Sequence, residues 1–210
     1  MRRSEQIRSA VAMLDGLAPA GYFLAVRLRG ASPLLTFSTF PVAWTDAYME
    51  NGYMMRDPVT TWALTIGGAI RWSSPFLFDP FGIFREAAKH GLKFGASIAH
   101  GPVRSLSLCS LARSDRELTD DEIAEAQRIV IAVHGMSELP EALDPSERAL
   151  LLAVGTTLDP TGSPTGTEAP RAGPGLPADE AEARMAALCD RLLVDTPDQA
   201  LRRARDLKLV

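Results

Sequence analysis

Five short β-rich runs, bounded by glycine or proline and interleaved with helical stretches, set the terms on which this chain can fold. Residues 22–29 and 34–40 are joined by Gly30-Ala31-Ser32-Pro33, a hairpin signal. Residues 69–74 form a third run, and residues 95–100 and 105–112 are placed to pair about Gly101-Pro102. Ahead of the first run, residues 4–15 set Ile7, Val11 and Leu14 on one helical face. Residues 44–49 keep helical spacing. Asp57-Pro58 starts another helix, with Asp as N-cap and Pro in the first turn, and residues 81–90 are helical up to Gly91. Thr119-Asp120-Asp121-Glu122 is a capping box, opening a helix with Ile123, Ala126, Val130 and Val133 on one stripe that runs to Gly135. Short strands with helices entering and leaving on both faces predict an α+β fold. The expected form is an α-β-α sandwich on a five-stranded, mostly antiparallel sheet, over residues 1–136.

The remainder reads differently. Residues 137–142 are a linker, and 143–210 read as a small all-α domain. Leu143-Asp144-Pro145-Ser146-Glu147 is a capping pattern before an apolar helix at 149–154. Nine of the 18 residues from 160 to 177 are Pro or Gly, which excludes a regular helix there. Ala181, Met185, Leu188 and Leu192 then return to helical spacing, and Thr196-Pro197-Asp198-Gln199 caps a last helix ending near Leu207.

Composition narrows the class. An apolar fraction of 46% and a charged fraction of 23% suit a soluble globular protein. Cys109 and Cys189, 80 residues apart, make neither a disulfide framework nor a zinc pattern. With no signal-peptide h-region behind Met1-Arg2-Arg3, a reduced cytoplasm is the expected compartment. No run of 18 apolar residues offers a membrane span. His90, His100 and His134 lack metal-ligand spacing, so no metal or cofactor is expected. The net charge is -4, and residues 143–210 carry eleven acidic against eight basic residues. A segment built to neutralise phosphates leans the other way.

One cluster stands out chemically. Trp44, Tyr48, Tyr53, Asp57 and Trp72 fall within 33 residues of a chain with three Trp and three Tyr. Rings can wrap an apolar ligand while a carboxylate and phenols fix its few polar atoms. Read alone, Asp57 before Pro58 is first a helix N-cap, and Trp44 with Tyr48 is first a core-facing i,i+4 pair.

Trp44, Tyr48, Asp57-Pro58-Val59 and Trp72, together with the run Gly91 to Ser97 and Ser107-Leu108-Cys109-Ser110, resemble the autoinducer-binding domain of the LuxR family of quorum-sensing transcriptional regulators. The resemblance covers about residues 5–135. Ala99, and Pro102-Val103-Arg104 in the last hairpin, depart from the family pattern. The resemblance implies an N-acyl homoserine lactone as ligand. Such a ligand buries an amide, so it needs an acceptor for its N–H and donors for its carbonyls. By that resemblance Asp57 takes the amide N–H, Tyr48 with Ser110 donates to the acyl carbonyl, and Trp44 donates to the lactone carbonyl. Trp72 packs on the lactone ring. The acyl chain runs among Phe40, Tyr53, Met49 and Leu108, with Ile83 and Phe84 closing the head-group end. Met49, Met54 and Met55 suggest an adaptable tunnel. A hydrolase of the same ligand is not expected, because no nucleophile–base pair or metal cluster is present.

In the same family a helix-turn-helix unit follows the linker. Residues 143–155 resemble its opening and 188–210 its end, while the Pro/Gly-rich 160–177 replaces the helix before the DNA reader. The segment in the reader's place, Ala178-Asp179-Glu180-Ala181-Glu182-Ala183-Arg184, presents carboxylates where base-reading helices carry Arg, Lys, Asn or Gln. The resulting expectation is a dimer-forming cytoplasmic sensor whose own DNA binding is weak or lost. It would act by sequestering signal or by pairing with a DNA-competent relative, with helix 119–135 as the dimer surface. One alternative is a conventional DNA-binding regulator using Arg202, Arg203, Arg205 and Lys208. Another is a ligand-binding scaffold without nucleic acid.

Overall fold

The computed structural model describes residues 1–29, 32–155 and 177–210. Gly30 and Ala31 of the expected hairpin turn, and all but Pro177 of the Pro/Gly-rich stretch, lie outside the described residues. The chain divides into two compact units, Ile7–Ser137 on one hand and Met1–Gln6 with Glu138–Val210 on the other.

The first unit holds β1 (Gly21–Leu28), β2 (Leu35–Ser38), β3 (Gly68–Arg71), β4 (Phe94–His100) and β5 (Leu106–Arg113) in one sheet of order β2-β1-β5-β4-β3. Every neighbouring pair is antiparallel, so the expected sandwich is present and its sheet is wholly antiparallel. Helix α1 (Arg3–Ala12) and the turn after it bury Ile7, Val11 and Leu14, the stripe that the spacing predicted. Helices α2 (Val42–Glu50), α3 (Pro58–Thr65), α4 (Ile83–Lys89) and α5 (Asp120–Met136) complete it. The capping box at Thr119 forms as expected: Glu122 N–H donates to the Thr119 hydroxyl at 3.2 Å, and Thr119 N–H to the Glu122 carboxylate at 2.7 Å.

Strand alternation splits the sheet into two different faces. Register pairs Tyr22 with Leu111, Leu24 with Cys109 and Cys109 with Ile98, all buried, on the face against which α5 packs. The other face pairs Gly95 with Ala112, Ser97 with Ser110 and Ala99 with Leu108. Most of those side chains are small, so this face is a shallow floor, and the aromatic-bearing α2, α3 and α4 supply its cover. A bulge in β1 puts Arg27 at φ 51, and its guanidinium donates to the His134 carbonyl at 2.9 Å and the Ser105 hydroxyl at 3.1 Å, tying the end of α5 to the sheet.

The second unit contains α6 (Pro145–Gly155), α7 (Ala178–Arg191) and α8 (Pro197–Asp206) around Leu151, Leu188, Leu192 and Leu201. Asp144 and Glu147 cap α6 reciprocally, and Thr196 with Gln199 caps α8. Leu193 and Lys208 follow α7 and α8 in left-handed conformation, a helix-stop position that glycine usually fills.

Candidate functional site

Asp57 sits where α3 begins because Pro58 fits the first helical position and a free N–H two residues on needs an acceptor. Its Oδ1 takes the Val59 backbone N–H at 2.8 Å. Its Oδ2 takes the Tyr48 hydroxyl proton at 2.9 Å. One oxygen thus caps the helix as expected, and the other turns to the Tyr48 phenol. Burial pushes its pKa up, against the two hydrogen bonds that lower it, and the negative charge of Asp79 raises it further. The Tyr48 phenol is raised by burial and by Asp57, so it stays a proton donor at any working pH.

Around this pair the rings close ranks. Trp44, 5% exposed, meets Tyr48 edge-on at 5.6 Å and Tyr53 at 6.1 Å, and Tyr48 meets Tyr53 at 5.8 Å. Trp44 packs with Ile83, Ala87, Leu92 and Ala112, and Phe40 and Tyr53 lean on that cluster. A second cluster, of Val59, Trp62, Ala63, Leu77, Ala99 and Leu106, has Leu108 and Phe84 against it, and Trp72 touches both. Of the expected residues, Trp44, Tyr48, Tyr53, Phe40, Ile83, Phe84, Leu108, Trp72 and Asp57 are thus brought together on one face of the sheet.

One of the expected placements changes, and two residues gain partners that spacing did not announce. Met49 is 71% exposed, and Met54 and Met55 are exposed as well, so no methionine of this segment lines the aromatic cluster. The reason is helical phase: with Trp44 and Tyr48 inward on α2, the next residue points out. The Tyr48 hydroxyl donates to Asp57, so the phenol orients the carboxylate here. Trp72 lies over Gly95, where a Cβ would come within 2.2 Å of the indole, and the Phe84 ring stacks on it at 5.4 Å. Its N–H donates to Ser97 at 2.9 Å, and Ser97 is 2.8 Å from Ser110. The Trp72 N–H, Ser97 and Ser110 thus form one hydrogen-bonded chain across the floor of the sheet.

The spacing argument missed Ser97, Gly95 as the seat of Trp72, and Asp79. Asp79 belongs to the loop between Leu77, buried beside Val59, and Phe84, whose backbone N–H it accepts at 2.9 Å. Asp-Pro-Phe-Gly there reads as a turn, and nothing in a turn announces a pocket. Among the described residues no group of three His, Cys, Asp or Glu could hold a metal, and no helix is long and apolar enough to cross a membrane.

The site is thus a carboxylate among rings, over a floor of small residues that carries a chain of hydroxyls, in an α-β-α domain. The chain belongs to the autoinducer binding domain family, whose model matches residues 7–137. It is 32% identical over 130 residues to the transcriptional activator protein VanR of Vibrio anguillarum, covering 58% of this chain and 54% of VanR. It is 28% identical over 111 residues to the transcriptional activator protein SolR of Ralstonia solanacearum, covering 51% and 44% respectively. The chain thus spans about half the length of the curated relatives it matches. In structure it is similar to Escherichia coli SdiA, with a TM-score of 0.53 and 18% identity over 100% of this chain and 92% of that one. It is also similar to SdiA in complex with octanoyl-rac-glycerol, with a TM-score of 0.51 and 16% identity over 98% and 88%. At these identities the likeness shows the fold.

Proposed function

We propose that the chain is a cytoplasmic sensor of an N-acyl homoserine lactone or a close relative, and that its own hold on DNA is weak or lost. The half-buried Asp57 carboxylate, fixed by Tyr48 and Val59 among aromatic rings, is the observation that carries the sensor reading. Asp57 accepts the ligand amide N–H, Trp44 and Ser110 donate to its carbonyls, and Phe40, Tyr53 and Leu108 flank the acyl chain. The lactone ring meets the Phe84–Trp72 stack. Mass spectrometry of an organic extract of the purified protein tests this, and an extract holding no acyl lactone after growth with the signal would count against it.

The pH dependence has two opposite signs. The ionised carboxylate is the better acceptor, and burial makes Asp57 take its proton above the usual carboxylate range. Ligand affinity is therefore expected to fall as pH drops through that raised value, and to stay flat in Asp57→Asn. Stability without ligand moves the other way. A carboxyl whose folded pKa is raised binds its proton more tightly when folded, so this residue's contribution improves as pH falls through the same window. Binding titrations and melting curves across mildly acidic buffers separate the two.

The lost-reader reading rests on α7. Its exposed residues include Asp179, Glu180 and Glu182, and Arg184 is paired to Glu180 at 2.8 Å. Such a face repels phosphate. The conventional alternative loses a member too, since Arg203 is half-buried and donates to the Leu192 carbonyl at 3.2 Å, leaving Arg202, Arg205 and Lys208 exposed. The sensor then acts by sequestering signal or by dimerising with a DNA-competent relative through α5. In mobility-shift titrations at low salt, with and without ligand, weak binding of all sequences alike is expected. Tight, sequence-selective and salt-sensitive binding would restore the conventional regulator.

A further inference from the structure

The loop between β3 and α4 turns a row of rings outward. Among the described residues the exposed phenylalanines are Phe76, Phe78 and Phe81, at 83%, 79% and 52%, and all three belong to this loop. The loop that carries them is pinned. Leu77, between the first two, is buried with Val59, Trp62 and Ala63, and its backbone N–H donates to the Ser74 carbonyl at 3.0 Å. Further on, Asp79 accepts the Phe84 N–H at 2.9 Å. With Leu77 held inward, the rings on either side of it project. Met55, 84% exposed, joins the same surface, because Arg56 after it lies over the Phe81 ring at 5.4 Å.

The charge beside these rings has one sign. From residue 51 to residue 85 the acids are Asp57 and Asp79, and both are engaged inside, Asp57 with Tyr48 and Val59 and Asp79 with Phe84. Glu50 and Glu86 bound the stretch, and Glu86 is paired with Lys89 at 2.6 Å. The exposed charges within it are Arg56 and Arg85, in a chain of net charge -4. Arg56 stands at Phe81, and the Arg85 guanidinium lies against Gly82 beside it.

An exposed apolar patch of this kind marks a surface that meets something. Rings that touch so little of their own chain would need a shaped socket on a protein partner, whereas a bilayer closes around them without one. The arginines complement anionic headgroups, while the rings suit the boundary between headgroups and acyl chains. We propose that this loop, with Met55, Arg56 and Arg85, is a docking surface for an anionic lipid bilayer, on which the protein sits peripherally. Such docking requires no ligand in the aromatic site, so it holds or fails independently of the sensor reading.

The experiment is flotation of the full chain with vesicles of phosphatidylcholine alone and of phosphatidylcholine mixed with phosphatidylglycerol, without acyl lactone. The wild type is expected to bind the mixed vesicles roughly tenfold tighter than the neutral ones, an advantage that shrinks as salt is raised. Arg56→Gln with Arg85→Gln should abolish that preference. Phe76→Ser with Phe78→Ser should weaken binding to the mixed vesicles on the order of tenfold or more. Both rings are outside the core, so that variant should melt as the wild type does. A tryptophan at position 78, in Phe78→Trp, should shift its emission to the blue when mixed vesicles are added. Three results would overturn the proposal. One is no flotation of the wild type with either vesicle. Another is flotation that the serine variant leaves undiminished. The third is self-association in the absence of lipid that the serine variant abolishes, which would give the patch to a second copy of the chain.

Discussion

Replacing Asp57 with alanine is expected to weaken binding of the acyl lactone roughly thirty- to two-hundredfold, the equivalent of about 2–3 kcal/mol for a buried charge-assisted hydrogen bond. The same change removes the α3 cap, which lowers stability by about 1 kcal/mol. The two effects can be told apart. Asparagine is as good a cap as aspartate, so Asp57→Asn should melt close to wild type while binding ligand on the order of tenfold more weakly. Tyr48→Phe removes the phenol that orients the carboxylate at 2.9 Å. Its effect should therefore depend on Asp57, and in the Asp57→Asn background it should add little, a coupling that a double-mutant cycle measures. Unchanged affinity in Asp57→Ala, with only the melting temperature lowered, would reduce the residue to a helix cap.

Gly95→Ala should be strongly destabilising, at about 3 kcal/mol. The added Cβ would lie 2.2–2.5 Å from three carbons of the Trp72 indole. The Phe84 stack and the Ser97 hydrogen bond hold the indole in place, so moving it aside breaks both. Chemical denaturation of Gly95→Ala reads the loss, and a second change, Trp72→Leu, should recover part of it by removing the clash. Stability within about half a kcal/mol of wild type would mean that the ring moves freely, and the floor of the site is not as built here.

The fold was legible because its signals are local. Thr119 and Glu122, or Asp57 and Pro58, declare a helix start within four residues, and the structure places α5 and α3 there. The face of α1 follows from Ile7, Val11 and Leu14 alone. What was not legible needed pairing. Ser97 meets Ser110 because β4 and β5 are in one register, and no spacing along the chain contains that register. Trp72 could be named as a site residue, yet its partners Gly95 and Phe84 come from two other elements, so its role as part of a stack stayed hidden. Met49 was misplaced for a simpler reason: one step beyond Tyr48 on α2 is a turn of about 100° away from the pocket. Asp79 was invisible because a turn sequence and a buried carboxylate look alike until Leu77 and Phe84 are seen to pin the loop on either side.

The most direct measurement is a comparison of two ligands that differ by one hydrogen-bond donor, an acyl homoserine lactone and its ester counterpart with oxygen in place of the amide N–H. On wild-type protein, the loss of the N–H opposite Asp57 is expected to weaken binding about thirtyfold or more, and on Asp57→Ala the two ligands should bind nearly alike. Equal binding of amide and ester by the wild type would contradict the account, because the buried carboxylate would then be reading nothing in the ligand.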